Sequence, residues 1–170
     1  MTSVLIIGGR GRIGASVARD ILTHIDAQVT VSGRKLPNAN HDSDDSASVA
    51  DRQSAIALDL DDDAGLREAI ASHDLVIHCA GPFHYRDTRV VQHCMELGID
   101  YLDVSDCVPF TRKVLAHHKA AQSAGITAIV NTGVFPGVSN SMVRLCMEGF
   151  EQQTGRQADT IRIYYAVAGS

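Results

Sequence analysis

Val4-Leu5-Ile6-Ile7 is an unbroken apolar run that gives way to Gly8-Gly9-Arg10-Gly11-Arg12-Ile13-Gly14-Ala15, after which Val17, Ile21 and Leu22 return at helical spacing. A strand without polar alternation is buried on both faces, so this segment predicts a strand, a tight turn and an amphipathic helix. Ala27 to Lys35 predicts a second strand. Residues 37–54 are polar, with the run His41-Asp42-Ser43-Asp44-Asp45-Ser46, and predict a mobile loop with a short helix at its end. Ala55 to Leu60 predicts a third strand, and Asp61-Asp62-Asp63 the cap of a helix that carries Leu66, Ala69 and Ile70. Leu75 to Ala80 is apolar enough for a central fourth strand. A helix over Val90 to Leu97, a strand over Tyr101 to Val104, a helix over Thr111 to Ser123 and a strand over Ile126 to Asn131 complete the pattern.

Strands alternating with helices in this way predict an α/β fold built on a doubly wound parallel sheet, Rossmann-like in type. In such a sheet a ligand lies across the carboxyl ends of the strands. Gly9, Gly11 and Gly14 have the G-x-G-x-x-G spacing at the first of those ends. One glycine turns the chain, one lets the backbone approach a pyrophosphate, and one lets the helix pack closely on the strand. Phosphates would meet the free N–H groups and the positive end of the dipole at the helix start. Gly9, Arg10, Gly11, Arg12, Ile13 and Gly14 are therefore candidate cofactor residues, with an ordinary glycine turn as the alternative.

The end of the second strand distinguishes one dinucleotide from another. NAD enzymes place an acid there, roughly 20 residues beyond the glycines, to accept hydrogen bonds from the ribose hydroxyls. This chain has Ser32 and Gly33 followed by Arg34 and Lys35. A hydroxyl and two cations bind a 2′-phosphate where a carboxylate would repel it, and Arg10 approaches from the glycine turn. NADP is favoured over NAD. A flavin or S-adenosylmethionine protein also uses such glycines but generally wants the missing acid. Asp59 and Leu60, ending the third strand, should border the adenine. Past the fourth, Cys79, Ala80, Gly81 and Pro82 should run beside the pyrophosphate and nicotinamide ribose.

Composition narrows the setting. The chain has 170 residues, 45% of them hydrophobic, which suffices for one core. A net charge of −5 argues against a nucleic-acid partner, which needs a broad basic face. No apolar run approaches the ~20 residues of a membrane span, and Met1-Thr2-Ser3 leads directly into the first strand; no membrane role and a cytoplasmic location are expected. Cys79, Cys94, Cys107 and Cys146 lack metal-ligand spacing, so buried thiols are expected and no metal site.

Gly81-Pro82-Phe83, Val90-Val91-Gln92-His93-Cys94, the stretch Leu97 to Asp106 and Pro136-Gly137-Val138-Ser139-Asn140, in this order, resemble the saccharopine dehydrogenase-like family. The resemblance implies an NADP-dependent oxidoreductase that passes hydride to or from the carbon of an imine or secondary amine, acting on a small molecule such as an amino acid or amine. A non-catalytic NADP-binding or regulatory module is the alternative. The resemblance also implies a dinucleotide-binding domain over residues 1–133, with 134–170 holding a connecting helix and the first strand of a second domain that builds the substrate pocket and a homodimer contact. Relatives of this kind often carry an acid before the Pro-Gly pair, where this chain has Phe135, which cannot ion-pair with a substrate ammonium.

No catalytic residue is assigned. Asp106 reads more readily as a helix cap than as a proton donor. His78, inside a buried strand, reads as a core histidine, whereas His84 and Tyr85 follow the Gly-Pro-Phe turn and are better placed. His117 and His118 read as solvated, and Cys79 has no basic neighbour to make it a thiolate.

Overall fold

The computed structural model describes residues 1–35 and 51–164. Its strands are β1 (Thr2–Ile7), β2 (Ala27–Gly33), β3 (Gln53–Ala57), β4 (Leu75–His78), β5 (Asp100–Asp103) and β6 (Ala128–Ile129). They form one six-stranded sheet in the order β3-β2-β1-β4-β5-β6. Every pairing in it is parallel. The helices are α1 (Arg12–His24), α2 (Asp63–Ala71), α3 (Arg89–Leu97), α4 (Val108–Leu115), α5 (His118–Ala124) and α6 (Val138–Thr154).

Alternation along β1 accounts for the layers. Val4 and Ile6 face one side, with Ala18 and Leu22 of α1 and Val29 and Val31 of β2. Leu5 and Ile7 face the other, with Leu66 and Ile70 of α2, Val90 and Cys94 of α3 and Phe110 of α4. Burying each of these large aliphatic side chains contributes roughly 1.5–3 kcal/mol, which is why β1 is apolar over its buried stretch Val4 to Ile7. The strand order reverses direction between β1 and β4, so the crevice at their carboxyl ends is the topological switch point where such sheets bind ligands.

Five sequence expectations are corrected by the structure. β3 starts at Gln53, inside the expected loop, because its register is set by β2, with Val29 opposite Gln53 and Gly33 opposite Ala57. As an edge strand it tolerates polar residues, and the Thr30 and Ser54 hydroxyls bond across it at 3.0 Å. The expected helix over Thr111–Ser123 begins at Val108 and is broken into α4 and α5. At the break the His117 N–H bonds the Val114 carbonyl, and the His117 ring lies 3.1 Å from Thr88 Oγ1, so His117 is half-buried rather than solvated. β6 pairs over only two residues, because Asn131 adopts a left-handed conformation, φ 62°, and turns toward β5. The first strand of the second domain is expected over Ile161 to Ser170, but residues 161–164 carry no strand; the rest of that strand, and residues 37–50 of the expected 37–54 loop, lie outside the described residues.

Candidate dinucleotide site

The glycine turn at the end of β1 is packed so tightly that the fold itself demands several of its glycines. At Gly14 a Cβ would sit 2.4 Å from the Gly8 carbonyl oxygen. At Gly9 it would sit 2.8 Å from Val31 Cβ, and at Gly8, where φ is +75°, 2.9 Å from the Ala80 backbone. Gly11 is different. It is the N-cap of α1 with an extended backbone, φ −79° and ψ 167°, and a Cβ there would meet only the Gly8 oxygen at 3.2 Å. Its lack of a side chain leaves space on the solvent side of the turn.

That space lies over the start of α1, where the first N–H groups have no intrahelical partners. No side chain caps α1 and its first turn holds no acid. In α2, by contrast, the Asp62 carboxyl accepts a hydrogen bond from the Gly65 N–H at 3.1 Å. Open amides over an unhindered Gly11, with Arg12 and Ile13 exposed beside it, fit a pyrophosphate.

At the end of β2, Ser32 is 1% exposed and its hydroxyl accepts from the Gly8 N–H at 3.4 Å. The serine thus braces the glycine turn instead of presenting its hydroxyl to a 2′-phosphate. The groups that do reach solvent there are cations. Arg10 crosses from the turn and donates to the Lys35 carbonyl. A Cβ on Gly33 would come within 3.1 Å of Arg10 Cδ, so glycine leaves room for that crossing. Arg34 and Lys35 are exposed beside it.

The next two strand ends frame the remaining crevice. Asp59 is exposed and its carboxyl accepts from the Asp61 N–H at 3.0 Å, while the carbonyl of half-buried Leu60 accepts from Arg89 at 3.2 Å. Arg86 Nε donates to the Ala80 carbonyl at 3.2 Å and holds the Gly81-Pro82 segment. Nothing lies within 3.7 Å of a Cβ built on Gly81, so the close approach expected there is not required by the fold's own packing. Burial, with the Asp103 charge behind it, pushes the half-buried Cys79 thiol up to about 11, which keeps it protonated.

His78 is a core histidine. Burial lowers it to about 3, with the Arg86 charge acting in the same direction and Asp87 against it. Its ring packs edge-on against Phe83 at 5.0 Å and Phe110 at 6.4 Å. A histidine depressed below its unfolded value near 6.5 contributes stability at higher pH and loses it as pH falls from about 6.5 toward about 3. Urea unfolding across that window should show a declining midpoint in the native chain, and His78→Gln should flatten the decline.

The residues that sequence reasoning missed cluster at the end of β5. Asp103 is fully buried, its carboxyl accepting from the Tyr101 hydroxyl at 3.1 Å and from the Ser105 and Asn131 N–H groups at 3.0 Å each. Its backbone carbonyl takes both the N–H and the hydroxyl of Thr132. The available signal was an acid two residues from Tyr101, hence on the same inward face of a buried strand. Asp106 is exposed and does not cap α4. The N-cap is Cys107, whose N–H bonds Ser105 Oγ at 3.1 Å. His84 and Tyr85 are exposed, their rings in contact at a tilt of 50° with centroids 3.8 Å apart.

Residues 4–129 match the saccharopine dehydrogenase NADP binding domain model, a stretch that contains the glycine turn, the cations after β2 and all of the sheet but two N-terminal residues of β1. The chain belongs to that family. Its cofactor is NADP. Among curated relatives, a probable mitochondrial saccharopine dehydrogenase-like oxidoreductase of Arabidopsis thaliana is 26% identical over 133 residues, 72% of this chain and 29% of the relative. The L-glutamate-forming, NADP(+)-dependent saccharopine dehydrogenase of Pyricularia oryzae is 31% identical over 121 residues, 71% of this chain and 25% of the relative. Among solved structures, apo saccharopine dehydrogenase (L-Glu forming) of Saccharomyces cerevisiae superposes with a TM-score of 0.68 at 26% identity, covering 89% of this chain and 32% of that one. The chain thus spans a quarter to a third of these relatives' length, and the family is one of oxidoreductases. Among the described residues no helix is long and apolar enough to cross a membrane, and no cluster of His, Cys, Asp and Glu could hold a metal ion.

Proposed function

We propose that this chain is the cofactor-binding part of an NADP-dependent oxidoreductase that moves hydride to or from the carbon of an imine or secondary amine, with residues 134–170 leading into a second domain. The observation that carries the reading is the pairing of an uncapped, acid-free α1 start with Arg10, Arg34 and Lys35 at the adjoining strand end. When bound, the nicotinamide supplies or accepts the hydride. The chain's own residues bind and orient: the α1 amides hold the pyrophosphate, the three cations hold the 2′-phosphate, and the loop from Cys79 to Pro82 lies along the nicotinamide ribose. His78 is buried against Phe83 and Phe110 and held neutral, and the Cys79 thiol is held protonated, so neither is assigned a catalytic role.

If Arg34 contacts the phosphate, Arg34→Ala should weaken NADPH binding by ~1.5–3 kcal/mol, the range for hydrogen bonds to charged groups, and leave NADH almost unchanged. Parallel fluorescence titrations of both cofactors check this, and equal losses for the two would remove the assignment. Transfer of label from deuterated NADPH to a cyclic imine by the complete protein tests the reaction class.

A further inference from the structure

Between β4, the segment that follows it, α2 and α3 lies a cavity of about 40 Å³. Leu60, Leu66 and Val90 supply its apolar walls, while His78 and Arg86 bring hydrogen-bond donors to it. Its volume is that of about three waters, too small for either ring system of a dinucleotide.

Both donors lack a full set of protein acceptors. His78 is 1% exposed and its Nδ1 accepts from the Ala80 N–H at 3.4 Å, so in the neutral ring the proton sits on Nε2. Among the described residues Nε2 meets no acceptor, and it is not sealed from water, so it opens on the cavity that the ring lines. Arg86 is half-buried and its Nε donates to the Ala80 carbonyl at 3.2 Å. Among the described residues its two Nη groups have no acceptor and its charge no ion pair. A half-buried cation and a buried N–H without partners are costly, and a ligand that accepts from both offsets that cost.

The neighbouring acids set the charge such a ligand can carry. Asp87 is engaged by Arg89, whose N–H and Nη2 reach its two oxygens at 3.0 and 2.7 Å. After burial, the Arg86 charge is the strongest influence on the His78 ring, with Asp87 opposing it less strongly, so the inner end of the cavity is electropositive. Asp61, an exposed carboxyl on the same lining, adds a repulsion that weighs more on a dianion than on a monoanion.

We infer that this cavity is a binding site for a planar, monovalent oxyanion of formate size, its oxygens accepting from the Arg86 Nη groups and from His78 Nε2–H. The planar fork of a guanidinium matches such an anion in shape. These donors are separate from the α1 amides and from Arg10, Arg34 and Lys35, so this inference and the cofactor reading stand or fall independently.

Titration of the isotope-labelled native chain with sodium formate at neutral pH, with ionic strength held by sodium sulfate and the His78 Nε2 resonance as the reporter, tests this. A saturable shift is expected, with about millimolar affinity, the limit set by formate's few non-hydrogen atoms. Propionate should bind at least about tenfold more weakly, because its ethyl group exceeds the cavity. Arg86→Gln should weaken formate by at least about tenfold, and Arg86→Lys, which keeps the charge without the fork, by less. A His78 resonance that formate leaves unmoved or shifts without saturation, propionate binding as tight as that of formate, or unchanged formate affinity in folded Arg86→Gln would overturn the inference. The comparison of formate with propionate uses the native chain, so it decides the question even where Arg86→Gln does not fold.

Discussion

Gly11→Val should abolish NADP(H) binding in a chain that still folds, whereas Gly14→Ala should damage the fold itself. The two glycines lie three residues apart in one motif, yet their surroundings differ. At Gly11 the backbone is extended and a Cβ would touch only the Gly8 oxygen at 3.2 Å, so valine is accommodated by a small adjustment and its branches fill the space over the α1 amides. Excluding the pyrophosphate from those amides removes several charge-assisted hydrogen bonds and should cost at least ~3 kcal/mol of binding, about a hundredfold or more in affinity. At Gly14 even a methyl group would lie 2.4 Å from the Gly8 oxygen and 2.6 Å from Gly9 Cα, both backbone atoms. Relief requires moving α1 away from β1, at a cost of about 3 kcal/mol or more. Chemical unfolding and NADPH titration of both variants check the pair. Near-native affinity in folded Gly11→Val would show that the turn does not cradle phosphates.

Asp103→Ala should be the most destabilising substitution at a polar position. It strands the Tyr101 hydroxyl and the Ser105 and Asn131 N–H groups in surroundings where Asp103 is fully buried. Each buried donor left unpaired costs ~1–3 kcal/mol, and with partial relaxation the sum should be about 3–5 kcal/mol. Burial, followed by the Asp103 charge, also holds the Tyr101 phenol above its usual range, so it remains a donor at every ordinary pH. Asp103→Asn keeps an acceptor for the two N–H groups and should cost less than half as much. A denaturation midpoint for Asp103→Ala within ~0.5 kcal/mol of the native chain would exclude this role, since that is the usual scatter of surface substitutions. Because Asp103 also anchors Asn131 and Thr132, hydrogen exchange should report the 130–137 loop as the segment loosened first.

The sequence by itself determined the parallel α/β sheet, the turn after β1 and the family. These are legible because each depends on neighbours within about ten residues: a run without polar alternation, glycines at short fixed spacing, an aspartate three residues before the N–H it caps. Asp62 caps α2 as its position predicts, and β4 is central as its composition predicts. What only the tertiary structure decided involves partners 24 or more residues apart. Ser32 looked like a phosphate ligand until β1 and β2 came together and placed its hydroxyl on the Gly8 N–H. β3 took its start from the register of β2, against its own hydrophobic pattern. The α4–α5 segment breaks at Ala116 and His117, where the His117 ring meets Thr88, 29 residues away. The Asp103 knot joins two strand ends through Asn131, 28 residues on. A local pattern records whether a position prefers water or the core. It does not record which polar partner a buried group will find, because that pairing exists only after the sheet has closed.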